Sequence, residues 1–129
     1  CGLKAGTPGL GDNMRVRSIP GRYLAHSGIY PVANGGEPDV FIGSADLMHR
    51  NLDRRVEVLV NITDPEHIHD LVGLIDLSVA PSTASWHLRH EEDHGQHWVR
   101  VNTDDGGEPL DDLHTLLMTT RRRSAALAR

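Results

Sequence analysis

Cysteine is almost absent. Cys1 stands alone, so no intramolecular disulfide can staple the chain, which suits a reducing cytoplasm. Aromatics make up only 4% of residues, leaving Val, Leu, Ile and Ala to build any core. No apolar run approaches the roughly 20 residues of a membrane span. The opening CGLKAGTPGL lacks the charged n-region and apolar h-region of a signal peptide. An initiator Met is missing too. The chain opens like the middle of a strand and is expected to be a fragment, incomplete at its N-terminus. A pI near 5.9, with no aromatics interleaved among the arginines, argues against nucleic acid as a partner.

At 129 residues the chain is long enough for a single domain with one core, expected to run over 1–129. Its net charge of −5 hides an asymmetry. Residues 1–58 carry seven basic side chains against six acidic ones; residues 59–129 carry six against twelve. Six of the first seven are Arg, whose planar fork of donors suits phosphate oxygens. An anionic ligand is therefore expected on the first half, although solvated surface arginines would look the same in composition.

Along the chain, 6–13 reads as a loop, and Pro20 with Gly21 breaks the stretch after it. GIYPVA (28–33) and DVFIGS (39–44) read as a hairpin joined by the five-residue turn NGGEP. ADLMHRNLDR reads as irregular or as one short helical turn. RVEVLVNI (55–62) puts Val56, Val58, Val60 and Ile62 on one face and is the strongest strand by pattern. Asp64 and Pro65 write a helix start, and Ile68, Leu71, Val72, Ile75 and Val79 predict a buried stripe ending before Pro81. ASWHLRH and QHWVRVN read as two strands around EEDHG, with Trp86 and Trp98 as core or cross-strand partners. Residues 110–129 read as a helix whose end is made basic by Arg121, Arg122 and Arg123.

A hairpin centred on Gly36 would pair residues whose numbers sum to about 72, setting Tyr30 against Ile42, Gly28 against Ser44 and His26 against Asp46. A carboxylate beside an imidazole fixes its tautomer and favours its charged form. Small residues around the pair leave room for a ligand, and Arg50, Asn51, Arg54 and Arg55 follow at once. A histidine, a small-residue floor and several arginines make a phosphate site. The ordinary alternative is a strand-end histidine near surface arginines. His87, His90, His94 and His97 also cluster, but without cysteine or a helical H-x-x-x-H context they are a weak zinc signal beside a solvated polar hairpin. His67, His69 and His114 read as exposed.

RSIPGRYLAHSGIY (17–30), then NGG (34–36), SADLMHRNLDRRVEV (44–58) and DP (64–65), resemble the last catalytic domain of bacterial polyphosphate kinase. The family pattern there is close to R-S-I-V-G-R-F-L-E-H-S-R-I-Y, N-G-G, S-A-D-x-M-x-R-N-x-x-x-R-V-E-V and a D-P helix start. The likeness is dense over 1–80. Residues 81–129 form a variable tail with a basic C-terminal helix, similar only loosely to the C-termini of actinobacterial-type members.

The resemblance implies an α/β fold like half of phospholipase D, a mixed sheet with packed helices. It also implies reversible transfer of the ATP terminal phosphate to a polyphosphate chain, by way of a phosphohistidine carried by a preceding domain. The match assigns His26 as the catalytic histidine that contacts ATP phosphates and serves as general acid, and Arg55 as an arginine of the same phosphate-lined site. Ser44, Asp46, Arg50 and Asn51 support them. Mg²⁺ is expected with ATP, but its ligands are not expected in this chain. The implied partners are ATP or ADP, polyphosphate, the upstream domains of a parent kinase and, in the full enzyme, further copies of it. The implied location is cytoplasmic or on a membrane-associated kinase complex.

The chain departs from the pattern at Pro20, Ala25, Gly28, Leu47, His49 and Asn61. Gly28 stands where the family has Arg, two residues from His26, which removes a cation from the site. Ala25 removes a carboxylate. Gly28 most threatens activity, and the chain alone is expected to be inactive because the phosphorylated histidine lies upstream. The alternatives are a non-catalytic remnant and, less well supported because no lysine follows the histidine, a phospholipase D-type phosphodiesterase half.

Overall fold

The computed structural model describes residues 6, 9, 11, 13–21, 28–91 and 93–127. Their elements run β1 (Arg17–Ser18), β2 (Gly28–Asn34), β3 (Glu37–Gly43), α1 (His49–Arg54), β4 (Leu59–Ile62), α2 (Pro65–Val79), β5 (Ser85–Glu91), β6 (Gly95–Val101) and α3 (Leu113–Leu127). The α/β class expected from the sequence is present, with its strands divided into two three-stranded sheets, β1-β5-β6 and β2-β3-β4. Both sheets are antiparallel, and an isolated bridge between Thr83 and Asp111 is parallel. The chain divides into two compact units, one of Tyr23–Asp76 and one of Cys1–Arg22 with Leu77–Arg129.

In the Tyr23–Asp76 unit the β2–β3 hairpin is tighter than the sequence suggested. Its turn is the two residues Gly35 and Gly36, both with positive φ (69° and 129°). Two-residue hairpin turns demand such angles, and glycine reaches them without a Cβ penalty. The register moves by one residue as a result. Gly28 faces Gly43, not Ser44, and Tyr30 faces Phe41, not Ile42. A one-residue slip exchanges the faces of a strand, so this correction decides what can meet at the open end. Val40, on the middle strand, is wholly buried.

β4 is shorter than the periodicity implied. Only Leu59–Ile62 pair with β3, and Val56 and Val58 lie outside the ladder. Val56 is 96% exposed and Val58 67%. The alternation was right about the face, because Val60 and Ile62 do share a side, but Val58 stays 67% exposed and no element of the described residues covers it. Alternation reports a pleat and not the presence of a covering layer.

α2 begins where the sequence wrote its start. The Asp64 carboxylate accepts the backbone N–H groups of Glu66 (2.9 Å) and His67 (3.2 Å). These bonds, that of His67 first and that of Glu66 second, hold the Asp64 carboxyl below its ordinary pKa. The predicted stripe is only half-buried at Ile68, Leu71, Val72 and Ile75, and Val79 is exposed. At the far end the Arg17 guanidinium donates to the Val79 carbonyl and, at 3.4 Å, to that of Ala80. The Thr83 hydroxyl donates to the Leu77 carbonyl at 2.6 Å. Carbonyls of the last turn, which have no partner within a helix, are satisfied in this way.

In the second unit, β5 and β6 form the hairpin that the two tryptophan segments promised. Trp86 pairs with Arg100 and Trp98 with Leu88. Both indoles are more than a third exposed, so they are cross-strand partners and not core, and the Arg100 guanidinium lies 6.0 Å from the centre of the Trp86 ring. α3 starts at an Asp112 cap, whose carboxylate accepts Thr115 N–H at 2.9 Å. The expectation of a basic helix end is corrected: α3 continues to Leu127, and its last turn holds no basic residue. Arg121, Arg122 and Arg123 therefore sit too far back for the terminal dipole, which acts within one turn.

Candidate functional site

The candidate phosphate residues sit on the loop between β3 and α1, on α1, and just beyond it. Ser44, Asp46, Arg50 and Arg55 are exposed. Asn51 is 97% buried, at 3% relative exposure. The loop is held from inside by two side chains. The Tyr30 hydroxyl donates to the Ala45 carbonyl at 2.5 Å, and Asn51 Nδ2 donates to the Asp46 carbonyl at 3.0 Å. Backbone bonds from Met48 N–H to Asp46 O (2.7 Å) and from Asn51 N–H to Met48 O (2.9 Å) close the turn into α1. Ala45 is buried beneath it, 8% exposed.

α1 divides its side chains by direction. Arg50 and Arg54, four apart, share its solvent side, while Asn51 points inward. Arg55 leaves the helix in extended conformation (φ −128°, ψ 157°). No carboxylate pairs with Arg50 or Arg55 among the described residues, whereas Asp53, between them, engages His49. Two exposed guanidinium groups without an internal counter-ion keep their donors for an outside anion.

Of the residues singled out from the sequence, Asp46 and Asn51 are joined by a hydrogen bond, Ser44 borders the same loop, and Arg50 and Arg55 bracket α1. His26 lies outside the described residues, and so does its expected pairing with Asp46. The sequence reading missed Tyr30, which it treated only as a strand residue. The available signal was chemical: a tyrosine in a half-covered strand needs a partner for its hydroxyl. It also missed the meeting of Gly28 with Gly43. A Cβ built on Gly28 would lie 2.0 Å from the Gly43 carbonyl oxygen and 3.2 Å from the Tyr30 hydroxyl.

A separate pocket of about 430 Å³ lies at the turn end of the β2–β3 hairpin, lined in part by Asn34, Glu37, Asp39, Asn61 and Ile68. Its two carboxylates oppose a phosphate, and the candidate phosphate residues do not line it.

The histidine cluster resolves into separate contacts. Glu91 reaches His94 at 3.6 Å and His97 at 3.5 Å. His87 Nε2 lies 3.1 Å from the Ser85 hydroxyl, which donates to Thr83 O. Burial first, and then the charges of Arg17 and Arg89, lower the His87 pKa. Among the described residues no three His, Cys, Asp or Glu side chains converge as a metal site.

Each unit combines a three-stranded antiparallel sheet with helical segments, an α/β composition. The crystal structure of polyphosphate kinase from Porphyromonas gingivalis shares this fold with a TM-score of 0.70, covering 91% of this chain and 17% of that one at 23% identity. The chain belongs to the family described as polyphosphate kinase C-terminal domain 2, which matches residues 1–106. It is 48% identical over 128 residues to a polyphosphate kinase of Streptomyces coelicolor, covering 99% of this chain and 17% of that protein. It is 50% identical over 127 residues to one of Erythrobacter litoralis, covering 92% of this chain and 16% of that protein. The chain thus spans about one-sixth of the length of these relatives.

Proposed function

We propose that the chain is the last catalytic part of a polyphosphate kinase and that it binds the phosphates of ATP during reversible transfer of the terminal phosphate to a polyphosphate chain. The observation that carries this reading is the pair of exposed arginines, Arg50 and Arg55, without counter-ions among the described residues, on the helix that follows a clamped small-residue loop and just beyond it, in a chain of this family. In phosphoryl transfer the protein contributes mainly positioning and donors for the equatorial oxygens. Arg55 supplies a bidentate contact. Arg50 supplies a second cation. Ser44 offers a hydroxyl donor at the loop, and the role that the family pattern gives His26 is donation of a proton to the leaving oxygen.

The phosphorylated histidine belongs to another domain of the parent protein, so this chain alone does not turn over. Mg²⁺ neutralises charge on the nucleotide phosphates in such reactions. In this reading Mg²⁺ comes with the nucleotide, as the family resemblance implies, held by phosphate oxygens and ligands outside this chain. Partners in this reading are ATP or ADP, polyphosphate, the remaining domains of the kinase and its other copies, in the cytoplasm.

Calorimetric titration of the chain with tripolyphosphate tests the reading. Binding is expected to weaken with salt. It should fall roughly tenfold in Arg55→Ala, as the loss of a charge-assisted contact implies, and should also weaken in His26→Ala. The absence of salt-sensitive binding to the unmutated chain would sink the proposal. Synthesis of polyphosphate from ATP by these 129 residues alone would sink the division of labour.

A further inference from the structure

Residues 44–48 have to hold one shape if Ser44 and Asp46 are to face a ligand, yet they contain no regular secondary structure. Three features fix them. The Tyr30 hydroxyl reaches across from β2 to the Ala45 carbonyl (2.5 Å). Asn51 Nδ2 reaches back from α1 to the Asp46 carbonyl (3.0 Å). The strands that carry Tyr30 and the loop approach so closely at Gly28 and Gly43 that a Cβ on Gly28 would fall 2.0 Å from the Gly43 oxygen.

The two bonds take consecutive backbone carbonyls and turn both inward, away from any phosphate, which a carbonyl oxygen would repel. Ser44, Arg50 and Arg55 remain exposed to solvent. Asn51 is almost wholly buried, and its Oδ1 finds no partner among the described residues, an arrangement that costs stability. A side chain kept there for packing alone could be apolar. Its Nδ2 bond to the loop is the gain that offsets the buried acceptor.

We propose that Tyr30 and Asn51 are positioning residues that clamp the 44–48 loop in its ligand-facing shape, and that the Gly28–Gly43 approach sets the distance over which Tyr30 must reach. The inference rests on the phosphate-site reading above and deepens it. Neither side chain touches phosphate in this account. Each acts through the loop.

Tyr30→Phe removes one hydroxyl from the intact 129-residue chain and nothing else. Amide hydrogen exchange of residues 44–48, read by NMR at 10 °C, is expected to quicken at least tenfold while the β2–β3 ladder exchanges as before, and the tripolyphosphate Kd is expected to rise several-fold. Asn51→Leu, of similar volume, should act alike. Gly28→Ala, which adds a Cβ without charge, should also loosen the loop. A merely structural role predicts a different pattern: a lower melting midpoint, ladder and loop exchange quickened together, and an unchanged Kd well below the melting midpoint. That pattern, or unchanged loop exchange in Tyr30→Phe, overturns the clamp. If Asn51→Leu fails to fold, Tyr30→Phe still decides. If the unmutated chain ignores tripolyphosphate, the phosphate reading falls and with it the positioning role, while the exchange measurement still reports separately whether the clamp exists.

Discussion

Gly28 occupies a position where the resembling family carries arginine, and from the sequence its effect was the loss of a cation near His26. The structure adds a steric reason. The Cβ of any other residue would sit 2.0 Å from the Gly43 oxygen, far inside the roughly 3.5 Å of ordinary contact. Restoring arginine would therefore not simply restore a charge. Gly28→Arg is expected to destabilise the chain by about 1–3 kcal/mol, as overpacking does, and to leave tripolyphosphate binding no tighter than before. Urea unfolding and calorimetry check the two halves of this statement. Tighter binding at full stability would show that the missing cation was the whole effect. Glycine at 28 is legible in the sequence, but its reason is not, because the crowding atom is a backbone oxygen fifteen residues away whose position depends on the register.

Among the elements, α2 was the most readable. An acidic cap, proline in the first turn and a 3.6-residue apolar period are local signals, and the helix runs Pro65–Val79 as they require. Asp64→Ala is expected to lower the thermal midpoint at pH 7 by a few degrees, because two N–H groups lose their acceptor. The pKa of Asp64 is lowered in the folded state, so its contribution is full above its unfolded value of about 4 and disappears as pH falls through the folded one. Asp64→Asn keeps a capping oxygen without that proton. It should hold the midpoint at neutral pH and lose less of it on acidification below about pH 4. Circular dichroism melts across pH 2–7 would show whether the slopes differ; identical slopes would remove Asp64 from the acid response. The hairpin was less readable. The sequence pattern reads as a five-residue turn over 34–38, and only the positive φ values at Gly35 and Gly36 select a two-residue turn and its register.

Across the molecule, apolar side chains remain uncovered. Val40 and Ala45 are the buried hydrophobic residues among those described, while Leu47, Leu52, Val56, Val58, Leu59 and Val60 are each at least half exposed. β4 forms the edge of its sheet and carries none of the lysine or proline that blunts natural edges. The 129-residue chain in isolation is expected to self-associate through this strip, and Val58→Lys with Val60→Lys should shift it towards monomer by light scattering. A wild-type chain that stays monomeric at high concentration would mean that the strip is tolerated in water. The sequence by itself determined the α/β class, the Asp64-capped helix, the two hairpins and the family, because these rest on short-range periodicity, turn chemistry and motif order. Only the tertiary structure decided the hairpin register, the Gly28–Gly43 contact, the Tyr30 and Asn51 clamp, and how little of the apolar pattern is covered. Each of these depends on which segments meet in space, and a residue pattern states what a side chain needs, not whether the fold supplies it.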